Sequence, residues 1–167
     1  IWPTSRKEAK ELLCLFCRYC LPQFGYFQDA MLHGKHWSLY HSRLSFILNT
    51  KMLSPLEVIQ YSLTYYKQVP DEVNLHQIEG FIRQILGWRE YIRALYWINM
   101  PEYAMKNHFN ATRSLPDFFW TGKTSLNCLQ QSIQQSLNTA YAHHIQRLMV
   151  TGNFCLVAEV DPIEVDA

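Results

Sequence analysis

The sequence lacks the features that would place it in a membrane or in a secretory compartment. No apolar run reaches the roughly 18 residues that a membrane-spanning helix needs, and neither a signal peptide nor a lipidation motif is visible. The five cysteines are an odd number, which suits a disulfide framework poorly. We therefore expect a protein of a reducing compartment that does not contact a membrane.

Charge and common active-site motifs are also scarce. Charged residues make up only 17% of the chain and the net charge is +1, so no overall electrostatic attraction to nucleic acid is expected. The sequence contains no P-loop, no Gly-x-Gly-x-x-Gly, no Gly-x-Ser-x-Gly and no His-Glu-x-x-His. No segment has the convincing alternation of a strand. These absences favour an all-α fold.

Apolar and aromatic residues, in contrast, are abundant. Hydrophobic residues make up 49% of the 167 residues and aromatic residues 14%, which suits a chain that buries a planar ligand or a large partner surface. The chain begins at Ile1 without a methionine. It stops soon after the helix-start signal Asp161-Pro162-Ile163-Glu164. We therefore expect a piece of a longer protein.

Capping residues and prolines predict most helix boundaries. Ser5 and Glu8 form a capping box, and Ser54-Pro55-Leu56-Glu57 combines an N-cap, an N1 proline and a capping glutamate. Pro22 is expected to break the first helix, and Pro101 to end the longest one. The predicted helices span residues 6–19, 26–32, 38–50, 55–69, 74–99, 126–138 and 141–158.

The long helix 74–99 carries the most informative set of side chains. Gln84, Trp88 and Tyr91 fall on one stripe at helical spacing. Arg89 and Arg93 are four residues apart on a neighbouring stripe, where like charges repel by a few tenths of a kcal/mol. One interpretation is an amphipathic helix whose arginines snorkel to water. The other is that an arginine meets an anion while the aromatic rings stack on a flat group.

Two further helix starts contain polar residues suited to chemistry. His41-Ser42-Arg43-Leu44-Ser45 places two hydroxyls and a cation within one turn, which is typical of a phosphate site, although the serines could equally be capping residues. His143 and His144 open the helix 141–158, where adjacent side chains point about 100° apart. A buried imidazole there suits proton donation, and the alternative is a pair of partly exposed polar residues.

The cysteines of the first helix allow two interpretations. Cys14, Cys17 and Cys20 have the spacing of a run of iron–sulfur ligands, but the same spacing fits one side of a helix. Free cysteine commonly behaves as a small buried hydrophobe. We favour packing in the core.

Three motifs, in order along the chain, resemble those of the photolyase/cryptochrome flavoproteins. These are a Ser-x-Leu-Ser to Leu-Ser-Pro segment, a Trp-Arg-Glu-aromatic signature and a histidine-rich helix. They correspond to Ser42–Pro55, Gly87–Tyr91 and Tyr141–Arg147. More narrowly, Phe27–Met31, Arg83–Tyr91 and His143–Gly152 resemble the bacterial iron–sulfur branch, whose members act as (6-4) photolyases or photoreceptors.

The resemblance implies an all-α, FAD-binding helical domain of the photolyase/cryptochrome type. By this resemblance, Ser42, Leu44 and Ser45 would hold the flavin diphosphate. Gln84 and Arg89 would face the folded FAD.

The resemblance also implies roles in catalysis and electron transfer. Trp88 would line the pocket that receives a lesion flipped out of DNA. His144 would donate a proton to the photoproduct, with His143 beside it. Trp120 would belong to the electron-transfer route, and Cys128 would be the first of four cysteines that hold a 4Fe–4S cluster.

The sequence departs from the family pattern in several places. The other three cluster cysteines would lie beyond Ala167, and Cys14, Cys17 and Cys20 do not match them. The N-terminal antenna domain and the segment that covers the flavin ring are missing. Residues 1–167 are therefore expected to be an incomplete part of a single flavin-binding and catalytic domain. Alone, the chain is expected to be inactive and to hold little FAD and no cluster.

The resemblance implies that the full-length parent is a DNA photolyase of the bacterial cytoplasm. Such a protein performs light-driven, FAD-dependent repair of UV pyrimidine photoproducts in DNA, here of the (6-4) type. Two alternatives stay open: a blue-light photoreceptor that signals through a partner without repair, and a helical interaction module without cofactor. Exposed apolar surface on the isolated chain would favour self-association.

Overall fold

The computed structural model describes residues 2–32, 34 and 36–166. Within that part of the chain, 65% of the residues are helical and no strand occurs, which confirms the all-α prediction. The α-helices are α1 (Arg6–Leu15), α2 (Leu21–Phe27), α3 (Ser45–Asn49), α4 (Pro55–Gln68), α5 (Leu75–Asn99), α6 (Phe118–Thr121), α7 (Asn127–Thr139), α8 (Asn153–Val157) and α9 (Pro162–Asp166). Two π-helical segments, Phe16–Cys20 and Gln146–Gly152, and a 3-10 turn, Glu102–Met105, are also present.

The first helical stretch begins where the sequence predicts and ends later. The Ser5 hydroxyl accepts the Glu8 N–H at 3.3 Å, and the Glu8 carboxylate accepts the Ser5 N–H at 3.2 Å, so the capping box is confirmed. The break expected at Pro22 is wrong, because the chain continues through the π-helical segment Phe16–Cys20 into α2. The wider turn shifts the hydrogen-bond register, and Pro22 then falls in the first turn of α2, where a missing N–H is tolerated.

The chain divides into two compact units, and the first comprises residues 1–32 and 38–94. Its core holds an aromatic cluster of Phe16, Phe24 and Phe81, whose ring centroids lie 4.6 to 5.9 Å apart. The pairs of Phe24 with Phe16 and with Phe81 meet edge to face, and such pairs add roughly 0.5–1.5 kcal/mol each beyond the area that they bury. The cluster therefore fixes α5 against the π-helical segment and α2. Other fully buried members of the core are Leu13, Cys17, Leu21, Leu44, Ile47, Leu53, Val58, Val73 and Ile78.

The helices α4 and α5 have the predicted ends. The Ser54 hydroxyl accepts the Glu57 N–H at 3.1 Å and starts α4. The helix α5 ends at Asn99, two residues before Pro101. Its first half packs into the core, and its buried residues are Gln77, Ile78, Gly80, Phe81 and Ile85. No helix in the described ranges has both the length and the apolar character needed to cross a membrane.

The second unit comprises residues 33–37 and 95–167. The helix α7 packs against the π-helical segment Gln146–Gly152, and the rings of Phe118, Phe119 and Phe154 contact one another. The long connection between α5 and α6 is tied to the end of the chain by backbone hydrogen bonds. Arg113 donates to Glu159 O at 3.0 Å and accepts from the Asp161 N–H at 2.9 Å.

Candidate functional site

An open depression lies on the exposed side of α5 in the first unit. It has a volume of about 370 Å³ and is lined by Arg83, Gln84, Gly87, Trp88 and Tyr91. The rings of Trp88 and Tyr91 meet edge to face, with centroids 6.0 Å apart. The predicted stripe of Gln84, Trp88 and Tyr91 therefore forms one surface, where a flat group could stack beside an amide.

Arg89 lies next to this depression in sequence but is not among its lining residues. It is half-buried, and its Nη1 donates to the carbonyl of Ile85 at 3.4 Å, a long hydrogen bond within α5. No carboxylate of the described residues forms an ion pair with it. Arg93, in contrast, is exposed and has Glu90 at 4.0 Å. Arg89 is thus the arginine of this pair whose charge stays available to an anionic ligand.

The turn Ser42–Ser45 differs from the prediction in its backbone. The helix expected over 38–50 begins only at Ser45, because Arg43 has a φ of 56° and interrupts any helix there. The Ser42 hydroxyl accepts the Leu44 N–H at 3.4 Å, and no side chain caps α3. Leu44 is buried in the core while Ser45 is exposed. None of the three predicted phosphate-side residues lines the depression on α5.

The two histidines lie at the start of a helical segment in the second unit. His143 is only 6% exposed and precedes the first helical residue, His144. The His143 N–H donates to Gln146 Oε1 at 2.9 Å, and His143 Nδ1 accepts the Ile145 N–H at 3.3 Å. The ring centroids of His143 and His144 are 4.2 Å apart. The expectation that the two side chains diverge is wrong, because His143 has not yet entered the helix.

Sequence reasoning missed the residue that completes the cap of this segment at His143. Gln146 is 8% exposed, and its amide forms two hydrogen bonds with the amide of Gln135 on α7, at 3.1 and 3.2 Å. A glutamine three residues after the capping position is the signal that could have revealed it. The π-helical segment then runs from Gln146 to Gly152, and such segments are frequent at functional sites.

The remaining predicted residues are accessible. Trp120 is 69% exposed on α6, and Cys128 is an exposed free thiol near the start of α7. No group of three or more His, Cys, Asp or Glu side chains in the described ranges could hold a metal ion.

The cysteines of the first helical stretch have different environments. Cys17 is fully buried, its Sγ lies 3.6 Å from the Ser62 hydroxyl, and burial raises its pKa to about 11. Packing in the core is therefore confirmed for Cys17. Cys14 is exposed, so the same expectation is wrong for it.

The side chains around the depression suit a flavin. Gln84 can both donate and accept hydrogen bonds, as the edge of an isoalloxazine ring requires. Arg89 supplies positive charge for an anion, whereas the Arg83 guanidinium already has the Glu79 carboxylate at 3.2 Å. Gly87 leaves space, because a Cβ there would have no neighbour closer than 4.0 Å. Cys128 can supply one thiolate to a cluster, and a cluster needs four such ligands.

Comparison with curated proteins identifies the class. One relative is 47% identical over 158 residues, which is 95% of this chain. The chain therefore belongs to the photolyase/cryptochrome flavoprotein family. The relative is a (6-4) photolyase from Agrobacterium fabrum, and the chain spans about 31% of its length. No family model matches the chain.

Proposed function

We propose that the protein containing this chain repairs (6-4) pyrimidine photoproducts in DNA by a light-driven, FAD-dependent reaction. The observation that carries this proposal is the 47% identity to a (6-4) photolyase along 95% of the chain. Residues 1–167 would be part of one helical flavin-binding and catalytic domain. UV-damaged DNA is the substrate and the partner that this function requires.

The flavin would be held by residues of the first unit. Gln84 would bond the polar edge of the ring system, and Arg89 would provide the positive charge that a bound anion needs. The hydroxyls of Ser42 and Ser45 and the backbone of Leu44 would hold the diphosphate. Reduced FAD, when bound, supplies the light-excited electron donor for the reaction.

The lesion and its proton would be handled by Trp88 and the histidine pair. The half-exposed indole of Trp88 offers a flat apolar face to a base that has left the DNA stack. His144 donates a proton to the photoproduct from its imidazole N–H, and His143 holds the neighbouring position. General acid catalysis of this kind contributes about 10²–10⁴-fold to a rate.

Two exposed residues would serve electron transfer. Trp120 is an aromatic relay whose exposure leaves it accessible to an external reductant. The exposed thiol of Cys128 would supply one of the four thiolates of a 4Fe–4S cluster. The buried, protonated Cys17 is unsuited to that role, because the thiolate is the form that binds metal.

The test uses the complete protein, purified and given an oligonucleotide with a single (6-4) photoproduct. Repair under blue light but not in the dark is expected. His144→Ala should lower the repair rate about 10²-fold or more. The matched control is His108→Ala, which removes an exposed histidine of the same unit and should leave the rate unchanged. Bound FAD without repair would identify a photoreceptor, and no flavin absorption at all would identify a helical interaction module.

We also infer that the isolated chain associates with itself. The last turns of α5 present Trp97 and Ile98 to solvent, with exposed fractions of 76% and 78%, beside the exposed ring of Tyr96. Apolar surface of this kind tends to be covered by a partner. Light scattering of the 167-residue chain should give a mass above that of a monomer, and a strictly monomeric chain would contradict the inference.

A further inference from the structure

We propose that the amide pair of Gln135 and Gln146 positions the histidine pair, so that His143 acts as a neutral helix cap and His144 alone carries the transferable proton. This inference rests on the proposed repair function for the role of His144. The positioning itself follows from contacts within the second unit. Gln135 and Gln146 are positioning residues here, since they act through the histidines.

The amide pair links two elements. Gln146 Oε1 accepts the Gln135 Nε2–H at 3.1 Å, and Gln146 Nε2 donates to Gln135 Oε1 at 3.2 Å. Gln146 Oε1 also accepts the backbone N–H of His143 at 2.9 Å. Because Gln135 lies on α7, the start of the histidine segment is fastened to that helix. Gln146 is buried, so water cannot easily replace these bonds.

The hydrogen bonds of His143 fix the state of its ring. Its Nδ1 accepts the Ile145 N–H at 3.3 Å, and a ring nitrogen can accept only when it carries no proton. The neutral ring therefore has its proton on Nε2. Protonation of Nδ1 would remove the acceptor and place an N–H against another N–H.

The rings of His143 and His144 lie close together but have different roles. The ring centroids of His143 and His144 are 4.2 Å apart, so the two imidazoles lie against each other. Because Nδ1 of His143 is committed to the Ile145 N–H, His144 is the ring that presents a proton to the photoproduct. Displacement of His143 would shift the ring of His144 that lies against it.

The experiment compares the complete wild-type protein with Gln146→Leu, Gln135→Leu and the double variant. Gln146→Leu should lower the quantum yield of repair about tenfold or more, since small misplacements of a catalytic group are costly. Its affinity for (6-4) DNA should stay within about twofold, because Gln146 is expected to act on the reaction step alone. The quantum yield of the double variant should fall no further than that of Gln146→Leu, since both changes break the same hydrogen-bonded pair.

The control is Gln130→Leu on the same helix, which has no hydrogen bond to the histidine segment and should leave the yield unchanged. Should Gln146→Leu fail to fold, Gln135→Leu still tests the proposal, because it keeps the bond from His143 to Gln146. An unchanged yield in every folded variant of the pair would overturn the proposal.

Nitrogen NMR of the histidine rings provides a readout that does not depend on repair. In the wild-type protein, His143 should have its proton on Nε2, and Gln146→Leu should give a mixture of tautomers. A proton on Nδ1 of His143 would overturn the proposal. If the wild-type protein repairs no lesion while His143 shows the expected tautomer, the proposed function fails and the positioning stands.

Discussion

The rings of His143 and His144 lie side by side, with centroids 4.2 Å apart, although they belong to adjacent residues. Adjacent side chains of a regular helix diverge by about 100°. The difference arises because His143 caps the segment from outside while His144 is its first helical residue. Two imidazole rings thus share one small region of the second unit.

Gly152 is the position where the π-helical segment should be most sensitive to substitution. A Cβ there would lie 2.7 Å from the backbone oxygen of Arg147, which cannot move without distorting the segment. We expect Gly152→Ala to lower the free energy of unfolding by about 1–3 kcal/mol, as overpacking does. Urea denaturation measures it. The matched control is Gly87→Ala, which has room inside α5 and should raise stability by about 0.5–1 kcal/mol. Equal effects at the two glycines would contradict the steric argument.

The buried thiol of Cys17 should make stability fall at high pH. Burial raises its pKa from 9.0 to about 11, so folding favours the neutral thiol. This contribution is fully present below about pH 9 and is lost as the pH rises through about 11, with a total of about 2–3 kcal/mol. Cys17→Ala should make the free energy of unfolding depend less on pH, which urea unfolding between about pH 8 and 11 measures.

The control for this prediction is Ser125→Ala, which replaces an exposed side chain that does not titrate in this pH range. It should leave the dependence of stability on pH unchanged. Some decline should persist in Cys17→Ala, because the pKa of Tyr61 is also raised, to about 12, chiefly by a hydrogen bond with Cys14. If the stability of Cys17→Ala falls with pH as steeply as that of the wild type, Cys17 contributes nothing to the pH dependence.

The two arginines of α5 should differ in their effect on flavin binding. Arg89 is half-buried and forms no ion pair in the described ranges, while Arg93 is exposed beside Glu90. Arg89→Gln should weaken FAD binding by about 10- to 100-fold, the value of a charged hydrogen bond. Arg93→Gln should leave the FAD content of the complete protein unchanged. Comparable losses in both variants would indicate a general electrostatic effect.

Iron content should separate the exposed cysteines. Cys128→Ser is expected to abolish the iron bound by the complete protein, because a cluster that loses one of four thiolates is rarely retained. Cys14→Ser removes a thiol of similar exposure and should keep the iron. Iron analysis and visible absorption provide the measurement. Retention of iron in Cys128→Ser would show that Cys128 is not a ligand of the cluster.

Several helix boundaries could be predicted because their determinants are local. The caps at Ser5 and Ser54 depend on residues within the first turn, and Pro101 stops α5 through its own ring. The stripe of Gln84 and Trp88 could be predicted as well, since helical spacing alone places the two side chains together.

The departures from prediction depend on features that the local sequence does not encode. A π-helical turn inserts one extra residue into a helix, and tertiary packing that the local sequence does not encode stabilises it. The segment Phe16–Cys20 before Pro22 is such a turn. Arg43 adopts a positive φ that its residue type does not predict. The link between Gln135 and Gln146 joins two helices, and a single sequence carries no record of such a pairing.

The backbone hydrogen bonds of Arg113 with Glu159 and Asp161 bear on how the second unit unfolds locally. The connection between α5 and α6 has little regular structure of its own, yet its backbone at Arg113 exchanges two hydrogen bonds with the residues just before α9, and the Leu115 N–H reaches the Glu164 carboxylate at 3.5 Å. Opening of residues 159–161 would therefore release the middle of the connection at the same time. The amides of Arg113 and Asp161 should exchange with solvent deuterium at one common rate, as members of a single opening unit.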